Sequence, residues 1–129
     1  MTATLTTPTD AWSWWEARRL RYNIGLAIAG WSAWGLFAIE MLMFRPLAED
    51  STVILSPAII LGQGLVWLVI MGVANLLYLL GPFSEMVLRP SEPEAYRRRM
   101  FGLGFWGSMA VPFLFPATVL TSLLLQIGY

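Results

Sequence analysis

Three long apolar stretches, separated by short polar segments, dominate the pattern of the chain. They cover about residues 24–44, 57–81 and 101–127. At a rise of about 1.5 Å per residue, a helix over any of them exceeds the ~30 Å hydrocarbon layer of a bilayer. None alternates apolar and polar residues as the strands of a membrane barrel do. The pattern therefore predicts an all-α integral membrane protein with three transmembrane helices.

The first apolar stretch extends a longer helical pattern. Residues 1–9 are polar, uncharged and poor in packing residues, so we expect a disordered tail there. Asp10 is placed to cap a helix that meets no breaker before Arg45-Pro46. The first helix should thus carry an amphipathic cytoplasmic portion ahead of its span. Residues 10–129 should form a single transmembrane domain, because the chain has room for one domain at most.

Prolines and glycines set the other expected boundaries. Ser56-Pro57 is typical of a helix start and Gly81-Pro82 of a helix end. Pro112 and Pro116 lie inside the third stretch, and each removes a backbone hydrogen bond. We therefore predict a kink in the third span. Its pattern leaves open whether the helix is continuous or broken there.

Arginine placement predicts the orientation. Seven of the eight arginines precede the first span or lie between the second and third, while Arg45 alone lies between the first and second. Positive loops stay in the cytoplasm. The N-terminus and the 82–100 segment should therefore be cytoplasmic and the C-terminus outside, in a bacterial inner membrane or an equivalent bilayer.

Composition narrows the chemistry. Apolar residues make up 57% of the chain and charged residues 12%, and the net charge is zero, which gives no indication of a nucleic-acid partner. The sequence contains no Cys, His or Lys. Thiolate and imidazole metal ligands, histidine acid–base catalysis and Schiff-base chemistry are therefore excluded. We predict no catalytic residues and no metal site. We assign no cofactor and leave cofactor-binding residues unassigned, and lipid is a possible ligand.

Small residues recur on two of the predicted helices. Residues 102–107, GLGFWG, match a dinucleotide fingerprint literally, but a membrane span contains them and no strand precedes them. Gly104, Gly107 and Ser108 are better interpreted as a face for close helix packing. The first span carries a second such face, which can pack within the chain or against a partner. It consists of Gly25, Ala29, Ser32 and Ala33.

Polar side chains from all three helices converge at one predicted depth, the cytoplasmic end. Two interpretations stay open: pairing that locks the bundle, or a site for an anion or an anionic lipid headgroup. In the first, Glu16 and Glu85 pair with arginines and Asn75 bridges helices. The candidate residues are Glu16, Arg19, Tyr22, Asn23, Asn75, Tyr78, Glu85, Arg97, Arg98 and Arg99.

A few polar and aromatic residues lie deeper in the predicted spans. Glu40 can mark a functional site or pair with Arg45, and Gln63 is a candidate for an interhelical hydrogen bond. Trp31, Trp34 and Trp67 lie near mid-depth, where they pack against lipid or helices or stack on a flat cofactor.

Three functional hypotheses follow. The first is an accessory or structural subunit of a larger inner-membrane complex, with lipids and other subunits as partners. The second is a homo-oligomeric transporter or channel lined by Glu40, Gln63 and Asn75. The third is a membrane enzyme acting on a lipid or isoprenoid, with Glu16 or Glu85 as its acid–base group, although the residue types present are poorly suited to a standalone enzyme.

Overall fold

A computed structural model describes residues 7–44 and 56–128 of the chain. Of these residues, 93% are helical and none lies in a strand. The helices are α1 (Pro8–Phe44), α2 (Pro57–Tyr78), α3 (Leu80–Leu88), α4 (Pro93–Ala110) and α5 (Leu114–Ile127). Three helical stretches are long and apolar enough to cross a membrane: Thr9–Phe44, Pro57–Leu88 and Pro93–Ile127.

Helix α1 begins two residues before the predicted cap. The Thr7 hydroxyl oxygen accepts from the Asp10 N–H (3.3 Å), and the Asp10 carboxylate accepts from the Thr7 hydroxyl (2.7 Å). Thr7 is therefore the capping residue, and Asp10 is its partner in the first helical turn. Pro8 and Thr9 belong to the helix and not to a tail, whereas residues 1–6 lie outside the described part.

The second apolar stretch starts as predicted and ends later. The Ser56 hydroxyl accepts from the Ile59 N–H (3.3 Å) at the start of α2. The predicted end at Gly81-Pro82 is wrong, because only Leu79 separates α2 from α3. Pro82 fits in the first turn of α3, where a backbone N–H has no helical partner to lose. Arg89 ends α3 in the left-handed conformation (φ 45°), and Pro90 follows it.

The third apolar stretch is helical from Pro93, eight residues before its predicted start. A single 3₁₀ turn, Val111–Phe113, joins α4 to α5 without a loop. This interruption falls at the prolines, because Pro112 and Pro116 have no N–H to donate. The sequence left open whether the third span is continuous or broken at these prolines. In the structure it continues without a loop and changes from α-helix to 3₁₀ helix for one turn.

Helix α1 is the centre of the bundle and packs against α5, α4, α3 and, least extensively, α2. Its buried residues recur at spacings of three, four or seven, as expected for one helix face. Two clusters of buried side chains result. One contains Trp15, Tyr22, Leu26, Ala29, Ala74, Tyr78 and Met109; the other contains Phe37, Met41 and Leu123.

Candidate functional site

A buried ion pair joins three helices at one end of the bundle. Glu85 on α3 is only 2% exposed, and both of its carboxylate oxygens accept from Arg97 Nε on α4 (2.9 Å each). Arg97 Nη2 donates to the same carboxylate (2.6 Å), and Trp15 Nε1 on α1 donates to it at 3.1 Å. Glu94 adds a weaker contact to Arg97 (3.5 Å). We call Glu85, Arg97 and Trp15 the Glu85 cluster.

The local sequence explains how α3 and α4 present these groups to each other. Residues 89–92 carry the left-handed Arg89 and Pro90, and Pro93 opens the next helix. This short turn brings α4 back against α3, so that residues twelve apart in sequence pair directly. A carboxylate buried this deeply requires such a set of donors, because an unpaired charge removed from water is strongly destabilising.

Two tyrosines extend the polar contacts from the Glu85 cluster along the bundle. The Tyr78 hydroxyl donates to the Trp15 carbonyl oxygen (2.6 Å), which ties α2 to α1. The Tyr22 hydroxyl lies 2.7 Å from Ser108 Oγ and donates to the Ala74 carbonyl oxygen (3.3 Å). The hydroxyls therefore link α1 with both α2 and α4.

The amides and the exposed charges form separate pairs. Asn75 Nδ2 donates to Asn23 Oδ1 (2.7 Å) and to its own helix at the Met71 carbonyl (3.0 Å). Glu16 and Arg19 form an ion pair at 3.1 Å on the surface of α1. Arg98 and Arg99 are exposed and make no ion pair with any described residue.

The structure therefore brings most of the predicted polar residues into contact, chiefly as partners of one another. Sequence reasoning missed Trp15, Ser108, Ser84 and Tyr96 as members of this network. Trp15 belongs to a tryptophan-rich run at residues 12–15 and is only 3% exposed. Its spacing of seven residues from Tyr22 places Trp15 on the buried face of α1, but its hydrogen bond depends on where α3 places Glu85. The neighbouring Trp14 instead stacks under the Arg18 guanidinium, 3.6 Å from the ring centroid.

The two small-residue faces differ in whether they pack against another helix of the described chain. A Cβ on Gly25 would lie 2.8 Å from the Phe105 ring, and Ala29 and Ala33 are buried. Most of the α1 face therefore packs within the chain, although Ser32 is exposed. Gly104 and Gly107 have no atom within 4 Å of an added Cβ. The GLGFWG segment lies inside α4, so it is not the strand-to-helix turn of a dinucleotide site.

The deep polar residues have incomplete hydrogen bonding within the described part of the chain. Glu40 Oε2 and Gln63 Oε1 are buried and have no hydrogen-bond partner there. The predicted partner of Glu40, Arg45, lies outside the described residues. Trp67 packs against Gly30, whereas Trp31 and Trp34 are exposed and contact each other edge-to-face at 6.1 Å.

A groove of about 360 Å³ lies beside the Glu85 cluster, between α2–α3 and α4, with α1 as its floor. Its surface is mostly apolar, with hydroxyls from Tyr22, Ser84, Tyr96 and Ser108. Ser84 Oγ accepts from the Tyr96 hydroxyl (2.7 Å) and donates to the Gly81 carbonyl (2.8 Å). The four hydroxyls are thus hydrogen-bonded within the chain, and the groove presents a mainly apolar surface.

Among the described residues, no group of three or more acidic side chains could hold a metal ion. The comparisons with known proteins add no function: no family model matches the chain, and neither a curated protein nor a solved structure matches it.

Proposed function

We propose that the protein is a small accessory or structural subunit that spans a bacterial inner membrane three times and packs into a larger complex. The N-terminus and the 89–92 turn lie on the cytoplasmic side in this proposal, since the arginines concentrate there. The Glu85 cluster supports a structural role, because its charged groups are paired with each other and hold α1, α3 and α4 together.

The observation that carries the proposal is the exposure of α2. In an apolar 18-residue segment of Pro57–Leu88, which includes α2, only 11% of the residues are buried, compared with 33% in that of Thr9–Phe44 and 22% in that of Pro93–Ile127. Leu61, Leu65, Leu68, Val69, Val73 and Leu76 are all exposed. The described residues of the chain cover little of α2, so a wide apolar face of this helix is available for another surface.

Glycines on α2 favour a protein partner over lipid alone. Gly62 and Gly72 have no atom within 4 Å of an added Cβ, so no contact within the described chain requires them. In a helix interior, glycine is less favourable than alanine by about 1 kcal/mol. Helix interfaces in membranes use glycine because it lets two backbones approach closely, an advantage that fluid lipid does not provide.

Copurification tests the proposal. Gentle detergent extraction from the native membrane should yield a complex larger than the monomer, and Gly72→Leu should release the protein from it. Leu125→Trp is the control, since it adds bulk at an exposed position of α5 outside both small-residue faces. A wild-type protein that always purifies as a lone monomer, with no second protein in its mass spectrum, would show the proposal to be wrong.

The alternative is a homo-oligomeric transporter or channel, favoured by the buried oxygens of Glu40 and Gln63 that lack partners in the described residues. Intramembrane polar groups of this kind often line solute paths. Solute flux into liposomes that contain only this protein, abolished by Glu40→Ala, would favour the alternative. Absence of flux for ions and small solutes would favour the subunit.

A further inference from the structure

We infer that the groove between α2–α3 and α4 is a specific site for an anionic phospholipid, with one acyl chain in the groove and the phosphate headgroup near Arg98 and Arg99. The inference uses the membrane insertion of the proposed function, but not the existence of a partner subunit. It deepens the function by naming a ligand class and the residues that select it.

The dimensions of the groove match one leaflet of a bilayer. Its lining on α4 runs from Tyr96 to Ser108, which lie twelve positions apart and thus about 18 Å along the helix. Half of a ~30 Å hydrocarbon layer is about 15 Å. A single acyl chain that enters at the Tyr96 end would therefore reach Ser108 near the middle of the bilayer.

The walls of the groove suit a hydrocarbon chain. Leu77 on α2 and Leu103 on α4 both line it, with 58% and 65% of their surface exposed, and Phe105 lines it further along α4. Gly104 forms part of the wall, and an added Cβ there meets no atom within 4 Å. The open space at Gly104 is thus available to a ligand and is not taken up by the described part of the chain.

Charge at the Tyr96 end favours an anionic headgroup. The described residues at this end include seven arginines and five acids, and the ion pairs occupy Arg19, Arg97, Glu16, Glu85 and Glu94. Five arginines then remain without an ion pair, against Asp10 and Glu92, and arginines exceed acids by two at this end as a whole. Their unbalanced positive charge attracts phosphate groups at the membrane surface.

Arg98 and Arg99 are the exposed arginines of α4 at this end. With 3.6 residues per turn, Arg99 lies about 40° from Leu103 around the α4 axis, and Arg98 lies about 20° from Phe105. Leu103 and Phe105 both line the groove, so both arginines lie on faces of α4 that border it. Arg21 on α1 is exposed and lies about 100° from Tyr22 and about 120° from Trp15, the α1 residues that line the groove, so it provides a control with the same charge.

The test is competitive lipid retention by the whole purified protein. The detergent-solubilised protein is mixed with equal amounts of phosphatidylglycerol and phosphatidylcholine that have the same acyl chains, with ubiquinone as a third probe, and bound molecules are counted by native mass spectrometry. We expect preferential retention of phosphatidylglycerol. Gly104→Leu should remove most bound phospholipid by filling the groove, whereas Gly107→Leu should leave it unchanged.

The headgroup variants separate selection from simple hydrophobic adhesion. Replacement of both Arg98 and Arg99 by Gln should lower the preference for phosphatidylglycerol at least about fivefold, since a single basic contact with an anionic lipid accounts for about that factor. Arg21→Gln should preserve the preference. If Gly104→Leu does not yield folded protein, Leu77→Trp narrows the groove from the opposite wall and should give the same loss.

Three results would overturn the inference: equal retention of the two phospholipids by the wild type, retention of ubiquinone in place of phospholipid, or unchanged retention in the folded groove variants. None of these measurements depends on the oligomeric state. A monomeric protein that retains phosphatidylglycerol would contradict the subunit proposal alone, and a complex without selective lipid would contradict this inference alone.

Discussion

At the scale of single residues, the two well-formed ion pairs differ in how far their side chains are exposed to solvent. Glu85 and Arg97 are nearly inaccessible, whereas the side chains of Glu16 and Arg19 keep 51% and 32% of their surface exposed. Solvent screens the exposed pair, so it contributes little to stability. Removal of one partner from the buried pair leaves a charge without compensation.

We therefore predict that Glu85→Gln lowers the free energy of unfolding by about 3–5 kcal/mol, because Arg97 stays buried and loses its counter-ion. Glu16→Gln, the matched control, should lower it by about 0.5 kcal/mol or less. Both are measured from unfolding of the purified protein in a graded mixture of mild and denaturing detergent. An equal decrease in the free energy of unfolding for the two variants would show that burial of the Glu85 cluster does not determine how much it stabilises the protein.

At the scale of elements, a close contact between two helices fixes the position of α3 against α1. The Trp15 ring packs on Gly81 in the first turn of α3, and an added Cβ at residue 81 would lie 2.5 Å from Trp15 Cζ3. The ring cannot easily move away, because its Nε1 donates to Glu85. The close approach of the Trp15 ring therefore requires a glycine at position 81.

Gly81→Ala should lower the free energy of unfolding by about 1–3 kcal/mol, the usual range for an overpacked contact. Gly72→Ala, at an open position on α2, should be neutral or stabilising by up to about 1 kcal/mol, since alanine is the better helix former. The midpoint of thermal unfolding, followed by circular dichroism at 222 nm, compares the two. A Gly81→Ala midpoint as high as that of Gly72→Ala would contradict the packing of α3 on Trp15.

At the scale of the whole molecule, the helix order and the distribution of charge predict one orientation. The Glu85 end of the bundle brings together the start of α1, the end of α3 and the start of α4, and with them seven arginines. If the chain spans a bilayer, the positive-inside rule places this end in the cytoplasm.

The absence of cysteine from the sequence makes this orientation directly measurable. A cysteine introduced at the exposed Glu92, between α3 and α4, should react with an impermeant maleimide only after bacterial cells are broken. A cysteine at Ser51, in the predicted outer connection, should react in intact cells. The reverse pattern would show an inverted orientation, and protection of neither site in intact cells would contradict membrane insertion with this topology.

Sequence reasoning was most reliable where the signal is local. Apolar runs of more than about 20 residues predict helices long enough to span a bilayer, and the structure has three such helices. The Ser56-Pro57 start was also predictable, because a cap depends on neighbouring residues alone. Gly81-Pro82 was misleading, because the same local pattern is compatible with the first turn of a new helix.

The sequence by itself determined the helical class, the approximate helical stretches and the clustering of polar residues toward one end. Only the tertiary structure decided which of those residues pair. Glu16 with Arg19 follows from one helical turn, but Glu85 with Arg97 and Trp15 depends on the turn between α3 and α4 and on the packing of α1. The physical reason is that a buried charge is stabilised by donors from distant parts of the chain, and periodicity along one helix cannot specify them.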